Sequence, residues 1–331
     1  MGALLGGLAF LSAAEAPPVA LRIEPFTVPP ATGPVTHVAV QNLRDAPWRG
    51  RVALRGPQGW RFEPAERAVA LEPKEAQRVP FTVAKGLNLD ANRYPLEAVA
   101  SGDDGSHAAR KQEVFCASAP FYKPTIDGRT RDWADAIPVS FVAGGKATAV
   151  RTYWNRDDFC LLVEVEEERH VGFQPGAEFD AVQIAIASAD KAGRYELLLV
   201  GPASRRDAPR CFLLARPGDP PAEGQEARDL TPLELKTARL AVRRTGQTTC
   251  YEAAVPFAAM PDIQATEGRE FRFSLLVHDP DGTGLRDLGE AAGLWPSLRS
   301  RLAWRLWPGA RWPKDPPFDS RIEWGFCSSK H

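Results

Sequence analysis

Short runs that alternate between apolar and polar residues recur along most of this chain and predict β-strands. In the first third, residues 36–42, 51–54, 78–83 and 94–100 alternate with a period of two. Successive side chains of a strand point to opposite faces of a sheet, so this alternation predicts strands with one buried face. Turn residues separate the runs, among them a Gly-Pro step and an Asp-Asp-Gly step. The pattern predicts a sandwich of short antiparallel strands.

The alternation is stronger in the remaining two thirds. Residues 147–154 and 159–165 flank an Asn-Arg-Asp-Asp turn and predict a hairpin. Further alternating runs occupy residues 180–186, 195–199, 238–242, 251–255 and 271–277. No stretch keeps a 3.6-residue apolar period over three turns, so long helices are not expected. We therefore predict an all-β chain with two antiparallel β-sandwiches, an Ig-like sandwich followed by a jelly-roll-like one.

The N-terminal segment and the segment between the two predicted sandwiches mark the domain boundaries. Residues 1–16 are apolar and then rich in small residues, which is typical of a signal peptide with cleavage after Ala14 or Ala16. The basic start of such a peptide is missing, which points to a truncated or misassigned beginning. Two prolines in residues 117–124 predict a semi-rigid linker. The predicted sandwiches are thus residues 17–116 and 125–331, in a secreted, periplasmic or extracellular protein.

Composition and charge exclude several classes of function. The 331 residues carry 41 basic and 42 acidic side chains, and a net charge of −1 argues against a nucleic-acid partner. No segment after the N-terminus is long and apolar enough to predict a membrane span. Five widely spaced cysteines form no zinc motif, and one or two disulfides would fit an exported protein without the sequence assigning their pairing.

The first sandwich contains motifs of a known accessory domain. These are Val40-Gln41-Asn42, Gly56-Pro57-Gln58-Gly59-Trp60, Leu71-Glu72-Pro73 and Asn92-Arg93-Tyr94. In this order they resemble the Ig-like domain found beside α-galactosidases and other secreted glycosidases. The resemblance implies a spacer domain, with Trp60 closing one end of the sandwich and no binding site.

The second sandwich opens on Thr125-Ile126-Asp127-Gly128, with Asp132-Trp133 soon after. Later motifs follow in order: the hairpin around residue 155, Asp180-Ala181-Val182-Gln183, Val255-Pro256-Phe257, Val277-His278-Asp279 and Trp312-Pro313-Lys314-Asp315-Pro316. Together they resemble a family-9 carbohydrate-binding module. The resemblance implies non-catalytic binding of polysaccharide or oligosaccharide ends, with a glycosidase or a cell surface as partner.

The resemblance also implies which residues contact the sugar. In the family, two aromatic rings sandwich a terminal sugar, and Trp312 matches one of them. The second ring falls at Ala177, which leaves Phe173 and Phe179 as substitutes out of register. The family's acidic residue corresponds to Gln183, on the strand that Asp180 begins. Gln183 still donates and accepts hydrogen bonds, but without the strength that charge adds.

Residues 279–290 present a separate candidate site. Asp279, Asp281 and Glu290 stand at the first, third and twelfth positions of a calcium-loop spacing, with Thr283 at the fifth and Gly284 at the sixth. The preceding segment is a predicted strand rather than a helix, so an Asp-Gly hairpin loop is the alternative. Calcium is therefore the one cofactor expected, and the family is known to carry it.

Catalytic motifs are absent from the sequence. There is no Gly-x-Ser-x-Gly elbow and no His-Glu-x-x-His, and the acidic run at residues 164–168 is typical of a solvated strand face. We expect no enzyme activity. The leading hypothesis is saccharide binding, and the alternative is a structural, adhesion or accessory protein whose sandwich no longer binds sugar.

Overall fold

A computed structural model describes residues 17–190, 194–219, 229–291 and 322–328. Trp312 and the predicted signal peptide lie outside these ranges. Within them the chain is built almost entirely from strands, which form two sandwiches in succession. The predicted all-β class is therefore confirmed.

The first sandwich holds eight described strands. They are β1 (Val19–Ile23), β2 (Val35–Asn42), β3 (Trp48–Arg55), β4 (Arg61–Glu63), β5 (Glu66–Leu71), β6 (Ala76–Lys85), β7 (Tyr94–Gly102) and β8 (His107–Val114). One sheet has the order β1-β2-β6-β4 and the other β5-β3-β7-β8, with every pair antiparallel. The apolar positions of each alternating run face the space between the sheets. Trp60 contacts Phe26, Phe62 and Tyr94 at the edge of this core, as its turn motif predicts.

The second sandwich is larger. Its described strands are β9 (Ser118–Pro120), β10 (Val139–Ala143), β11 (Lys146–Trp154), β12 (Asp158–Glu166), β13 (Ala181–Ser188), β14 (Tyr195–Val200), β15 (Arg210–Ala215), β16 (Arg239–Thr245), β17 (Thr248–Pro256), β18 (Glu270–Asp279), β19 (Gly284–Asp287) and β20 (Ile322–Cys327). The smaller sheet has the order β10-β11-β12-β17-β16. The larger sheet has the order β15-β14-β13-β18-β20-β9, and β19 pairs with β18.

Helices in the described ranges are short. Four 3₁₀ turns occur at Pro30–Thr32, Arg131–Trp133, Thr231–Leu233 and Phe257–Ala259, and the α-helix α1 spans Leu288–Ala291. With four residues in α1, no helix of the described chain could cross a membrane.

Strand β13 shows how the sequence pattern sorts its side chains. Val182, Ile184 and Ile186 point into the core between the two sheets. The residues between them point away from the smaller sheet, onto what we call the outer face of the larger sheet. Gln183 is one of these residues, and it is fully buried. The outer face therefore carries a second layer of buried groups, both apolar and polar.

The segment predicted as a linker is tightly integrated with both sandwiches. Ser118–Pro120 forms β9, which pairs in parallel with β20 at the edge of the larger sheet. Ahead of it, the Ala117 amide donates to the Phe26 carbonyl at 2.7 Å. The Arg22 guanidinium makes two hydrogen bonds to the Glu323 carboxylate, 2.7 and 3.0 Å long, and both side chains are buried. A buried ion pair thus connects β1 with β20.

All five cysteines are buried and free. Burial raises the pKa of each thiol, to about 12 for Cys160 and Cys211 and to about 11 for Cys250 and Cys327. They behave as small apolar core groups.

Candidate functional site

Four polar side chains form a row across strands β14, β13 and β18 on the outer face. The Gln183 side-chain amide donates to Glu196 Oε2 at 3.1 Å, and its Oε1 lies 3.0 Å from His278 Nε2. Burial lowers the pKa of His278 to about 3, so the ring is neutral and its Nε2–H donates to Gln183. Arg194 extends the row by donating to Glu196 Oε1 at 2.5 Å. Donors and acceptors therefore alternate along this polar row.

Three aromatic rings lie beside the polar row on the same face. Phe173 contacts Phe179 with 5.0 Å between ring centroids, and it contacts Phe212 at 5.2 Å. The Arg210 guanidinium lies over both Phe173 and Phe212, at 5.4 and 5.0 Å from the centroids. Phe179 is buried and Phe173 is half-buried. These rings form one apolar cluster in which the accessible edge belongs to Phe173.

Asp180 points the other way, into the end of the sandwich between the two sheets. Its Oδ2 accepts a hydrogen bond from the Val171 amide, and the Asp180 amide donates to the Val171 carbonyl at 2.8 Å. His170 Nδ1 lies 3.6 Å from Asp180 Oδ2 and 3.3 Å from Glu167 Oε1. Burial raises the pKa of Asp180 to about 7, and the charge of Glu167 acts in the same direction.

Asp279 anchors the hairpin between β18 and β19. Its Oδ2 accepts hydrogen bonds from the Thr283 amide, the Thr283 hydroxyl and Arg286, at 2.8–2.9 Å. Burial acts to raise the pKa of Asp279, but these bonds hold it below the usual value. Asp281 accepts from Arg169 Nε at 2.7 Å. The loop thus has the Asp-Gly hairpin geometry that was the alternative to a calcium loop.

Glu290 lies in α1, and its side chain is outside the described residues. Asp279 and Asp281 instead converge on Asp180, with one carboxylate oxygen from each within 4.8 Å of the others. Calcium at Asp279, Asp281 and Glu290 stays a prediction.

The predicted sugar-contact residues therefore occupy two places. Gln183, Phe173 and Phe179 share the outer face, whereas Asp180 lies behind it, between the sheets. Trp312 is outside the described residues. Alternation along β13 separates Asp180 from Gln183, because positions three apart in a strand face opposite sides.

Several polar residues at these places were not predicted from the sequence. Glu196 lies inside an otherwise apolar run, Tyr195–Val200, and such an isolated acidic residue is the available signal. Glu167 follows Glu164 and Glu166, which alternation assigned to a solvated face, but Glu167 is buried and accepts from Arg244 and Thr249. The alternation that guided this assignment ends with β12 at Glu166, one residue earlier.

One family model matches part of the first sandwich. Residues 28–102 match the family described as NPCBM-associated, NEW3 domain of alpha-galactosidase, which confirms the resemblance of the first sandwich. Curated protein sequences give no match.

Among solved structures, the chain is similar to a family-9 carbohydrate-binding module from Caldicellulosiruptor kristjanssonii in complex with glucose. The two share 11% identity, the match covers 63% of this chain and 94% of that one, and the TM-score is 0.40. The complex with cellotriose gives the same identity and TM-score and is covered to 92%. The YadV chaperone is similar at 9% identity over 82% of this chain and 97% of that one, with a TM-score of 0.24.

Proposed function

We propose that the second sandwich binds a saccharide without catalysing a reaction on it. The observation that carries this proposal is the polar row of Arg194, Glu196, Gln183 and His278 beside an aromatic cluster. A sugar offers both hydroxyl groups and an apolar C–H face, so a receptor needs hydrogen-bonding groups next to an aromatic ring. Gln183 sits where the family-9 motif places the residue that binds sugar hydroxyls.

The proposed contacts are Gln183 for the hydroxyls and Trp312 for the sugar face, with Phe173 at the side. Asp180 supports the strand that carries Gln183 rather than touching the sugar. Glucose and cellotriose, the ligands of the similar family-9 module, are the first saccharides to test. The first sandwich acts as a spacer without a binding site.

A glycan array tests the proposal, with the full chain compared to a Trp312→Ala variant. We expect the wild-type protein to bind at least one saccharide on the array, and we expect the variant not to bind that saccharide. Phe121→Ala is the matched control, because Phe121 is a 41% exposed aromatic ring at the joint and is not one of the proposed contacts. Equal saccharide binding by the Trp312→Ala variant and the wild-type protein would show that Trp312 does not contact the sugar.

The alternative is a structural, adhesion or accessory role, and one observation favours it. Gln183 and Phe179 are at most 1% exposed, which places two of the proposed contacts beneath the surface. A chain that retains no saccharide on a broad array would support this second function.

Export is proposed as well, from the signal-peptide pattern in residues 1–16. The partner would then be a glycosidase or a cell surface outside the cytoplasm. N-terminal sequencing of the protein recovered from the medium or periplasm should show a mature chain that begins after Ala14 or Ala16. An intact N-terminus in the cytoplasmic fraction would contradict export.

A further inference from the structure

The end of the second sandwich holds a compact group of ionisable side chains that the proposed saccharide site does not use. Glu167 and His170 follow the end of β12, Asp180 precedes β13, and Tyr251 comes from β17. Glu167 and Asp180 are each 1% exposed, and one donor atom from each of Glu167, His170 and Asp180 lies within 4.8 Å of the others. We call these three residues the His170 cluster.

The His170 cluster contains buried atoms without hydrogen-bond partners in the described chain. They are Glu167 Oε2, His170 Nε2 and Asp180 Oδ1. A buried carboxylate oxygen normally accepts at least one hydrogen bond, since the loss of hydration is otherwise uncompensated. Glu167 and Asp180 thus each keep one buried oxygen without a hydrogen-bond partner, while their other oxygens, Glu167 Oε1 and Asp180 Oδ2, are the ones that face His170 Nδ1.

Positive charge is unevenly distributed around the cluster. Glu167 pairs with Arg244, and the nearby Asp279 and Asp281 pair with Arg286 and Arg169. Among the described residues no arginine or lysine pairs with Asp180, and the basic side chain nearest its carboxylate is the imidazole of His170. A bound cation would therefore supply the positive charge that Asp180 lacks.

Distances around His170 Nδ1 suit a shared ion better than direct hydrogen bonds. Nδ1 lies 3.3 Å from Glu167 Oε1, 3.6 Å from Asp180 Oδ2 and 3.4 Å from the Tyr251 hydroxyl. All three exceed the usual hydrogen-bond length of about 2.7–3.2 Å. Around a tetrahedral ion with bonds of about 2.0–2.1 Å, neighbouring donor atoms lie about 3.4 Å apart.

We propose that Glu167, His170 and Asp180 bind a divalent transition-metal ion such as Zn²⁺ or Mn²⁺. The imidazole nitrogen decides the class of metal, because Ca²⁺ selects oxygen ligands whereas zinc and manganese accept nitrogen with carboxylates. The buried Tyr251 hydroxyl lies 3.4 Å from His170 Nδ1 and closes one side of the proposed site. This site is independent of saccharide binding and differs from the calcium loop predicted around Asp279.

Such an ion would fasten the loop after β12 to both sheets. Glu167 already holds β16 and β17 through Arg244 and Thr249, and Asp180 directly precedes β13 in the larger sheet. Gly201 fits this arrangement: a Cβ there would lie 2.2 Å from His170 Nε2, so only glycine lets the imidazole reach its place.

Metal binding by the full chain tests the proposal after removal of bound ions with EDTA. ZnCl₂, MnCl₂ and CaCl₂ are then added separately, with bound metal measured by equilibrium dialysis and the melting temperature by scanning calorimetry. We expect about one zinc or manganese ion per chain and a rise in melting temperature. Asp180→Asn should weaken binding at least tenfold, while Glu164→Gln, a matched change on β12 outside the cluster, should not.

Two further observations separate metal binding from a purely structural role. In EDTA, Asp180→Asn should melt no lower than wild type, because asparagine still accepts from the Val171 amide and no longer carries an unpaired charge. His170→Gln should lose zinc. The proposal would be overturned if neither Zn²⁺ nor Mn²⁺ bound, or if the protein preferred Ca²⁺. It would also be overturned if Asp180→Asn or His170→Gln bound Zn²⁺ as tightly as the wild-type protein.

Discussion

At some positions of the second sandwich, neighbouring backbone lies so close that no side chain fits. Gly172 is the clearest case, because a Cβ built there would lie 2.0 Å from the Pro202 carbonyl oxygen and 2.3 Å from its carbon. The contact brings the loop after β12 against the chain that follows β14, and the Phe173 amide then donates to Gly201 at 2.9 Å. Gly172 thereby positions Phe173 next to the polar row.

Gly172→Ala should therefore destabilise the protein. The methyl group meets backbone rather than a flexible side chain, so the loop has to shift, at a cost of about 1–3 kcal/mol. Urea unfolding of wild type and variant measures this loss. Equal midpoints and slopes would show that the loop is not held against Pro202.

At the scale of elements, the opening motif of the second sandwich is held by one buried carboxylate. Glu252 on β17 accepts hydrogen bonds from the amides of Asp127 and Gly128 at 2.8 and 2.6 Å. It also accepts from the indole of Trp133 at 2.7 Å. The Ile-Asp-Gly turn and the Arg131–Trp133 turn are thus fixed onto the smaller sheet.

Glu252→Gln tests this anchor. The amide nitrogen of glutamine would face a donor, so at least one of the three hydrogen bonds is lost and a buried group is left unpaired. We expect a loss of about 1–3 kcal/mol in the free energy of unfolding. Near-ultraviolet circular dichroism of Trp133 should change as well, and an unaltered spectrum with full stability would contradict the anchoring role.

The strands and the site were predictable to different degrees. Alternation located the β11–β12 hairpin, whose register pairs Trp154 with Phe159 as expected. Alternation is a local property, however, and it cannot show that the outer face of β13 is buried as deeply as the inner one. For the same reason the partners of Gln183, which come from β14 and β18, were not foreseen, and neither was the role of Glu252.

At the scale of the whole molecule, the sandwiches meet through a network of charges in which Arg22, Glu24 and Glu323 are buried. Arg22 and Arg272 both pair with Glu323, and Arg78 bridges Glu24 and Glu270. Removing one partner of such a network leaves an uncompensated buried charge, which is far more costly than losing a surface ion pair. These contacts fix the first sandwich to the second instead of leaving it flexibly tethered.

The network makes stability depend on pH. Burial, with the nearby charge of Glu323, raises the pKa of Glu24 to about 7 despite the opposing Arg78 and Arg22. The folded protein thus holds this proton more tightly than the unfolded chain, whose glutamates titrate near pH 4.3. The stabilisation is complete below that pH and is lost as the pH rises to about 7, by about 4 kcal/mol in total.

A Glu24→Gln variant isolates this effect. His278, with its pKa lowered to about 3, gives the opposite slope but is common to both proteins. Urea unfolding at pH 5 and pH 7.5 should show a smaller decrease with rising pH in the variant than in wild type. His37 lies beside Glu24 and Arg78 and is present in both proteins, and burial and the charge of Arg78 lower its pKa. Equal pH slopes would contradict the raised pKa.

Saccharide binding through Gln183 is the central claim, and calorimetric titration of a Gln183→Met variant tests it most directly. The titrant is the saccharide retained most strongly on the array, and Gln112→Met in the first sandwich is the matched control. Methionine keeps the length of glutamine but offers no hydrogen bonds. The account predicts at least a tenfold weaker Kd for Gln183→Met and an unchanged Kd for the control. Equal affinity in a folded Gln183→Met protein would contradict it.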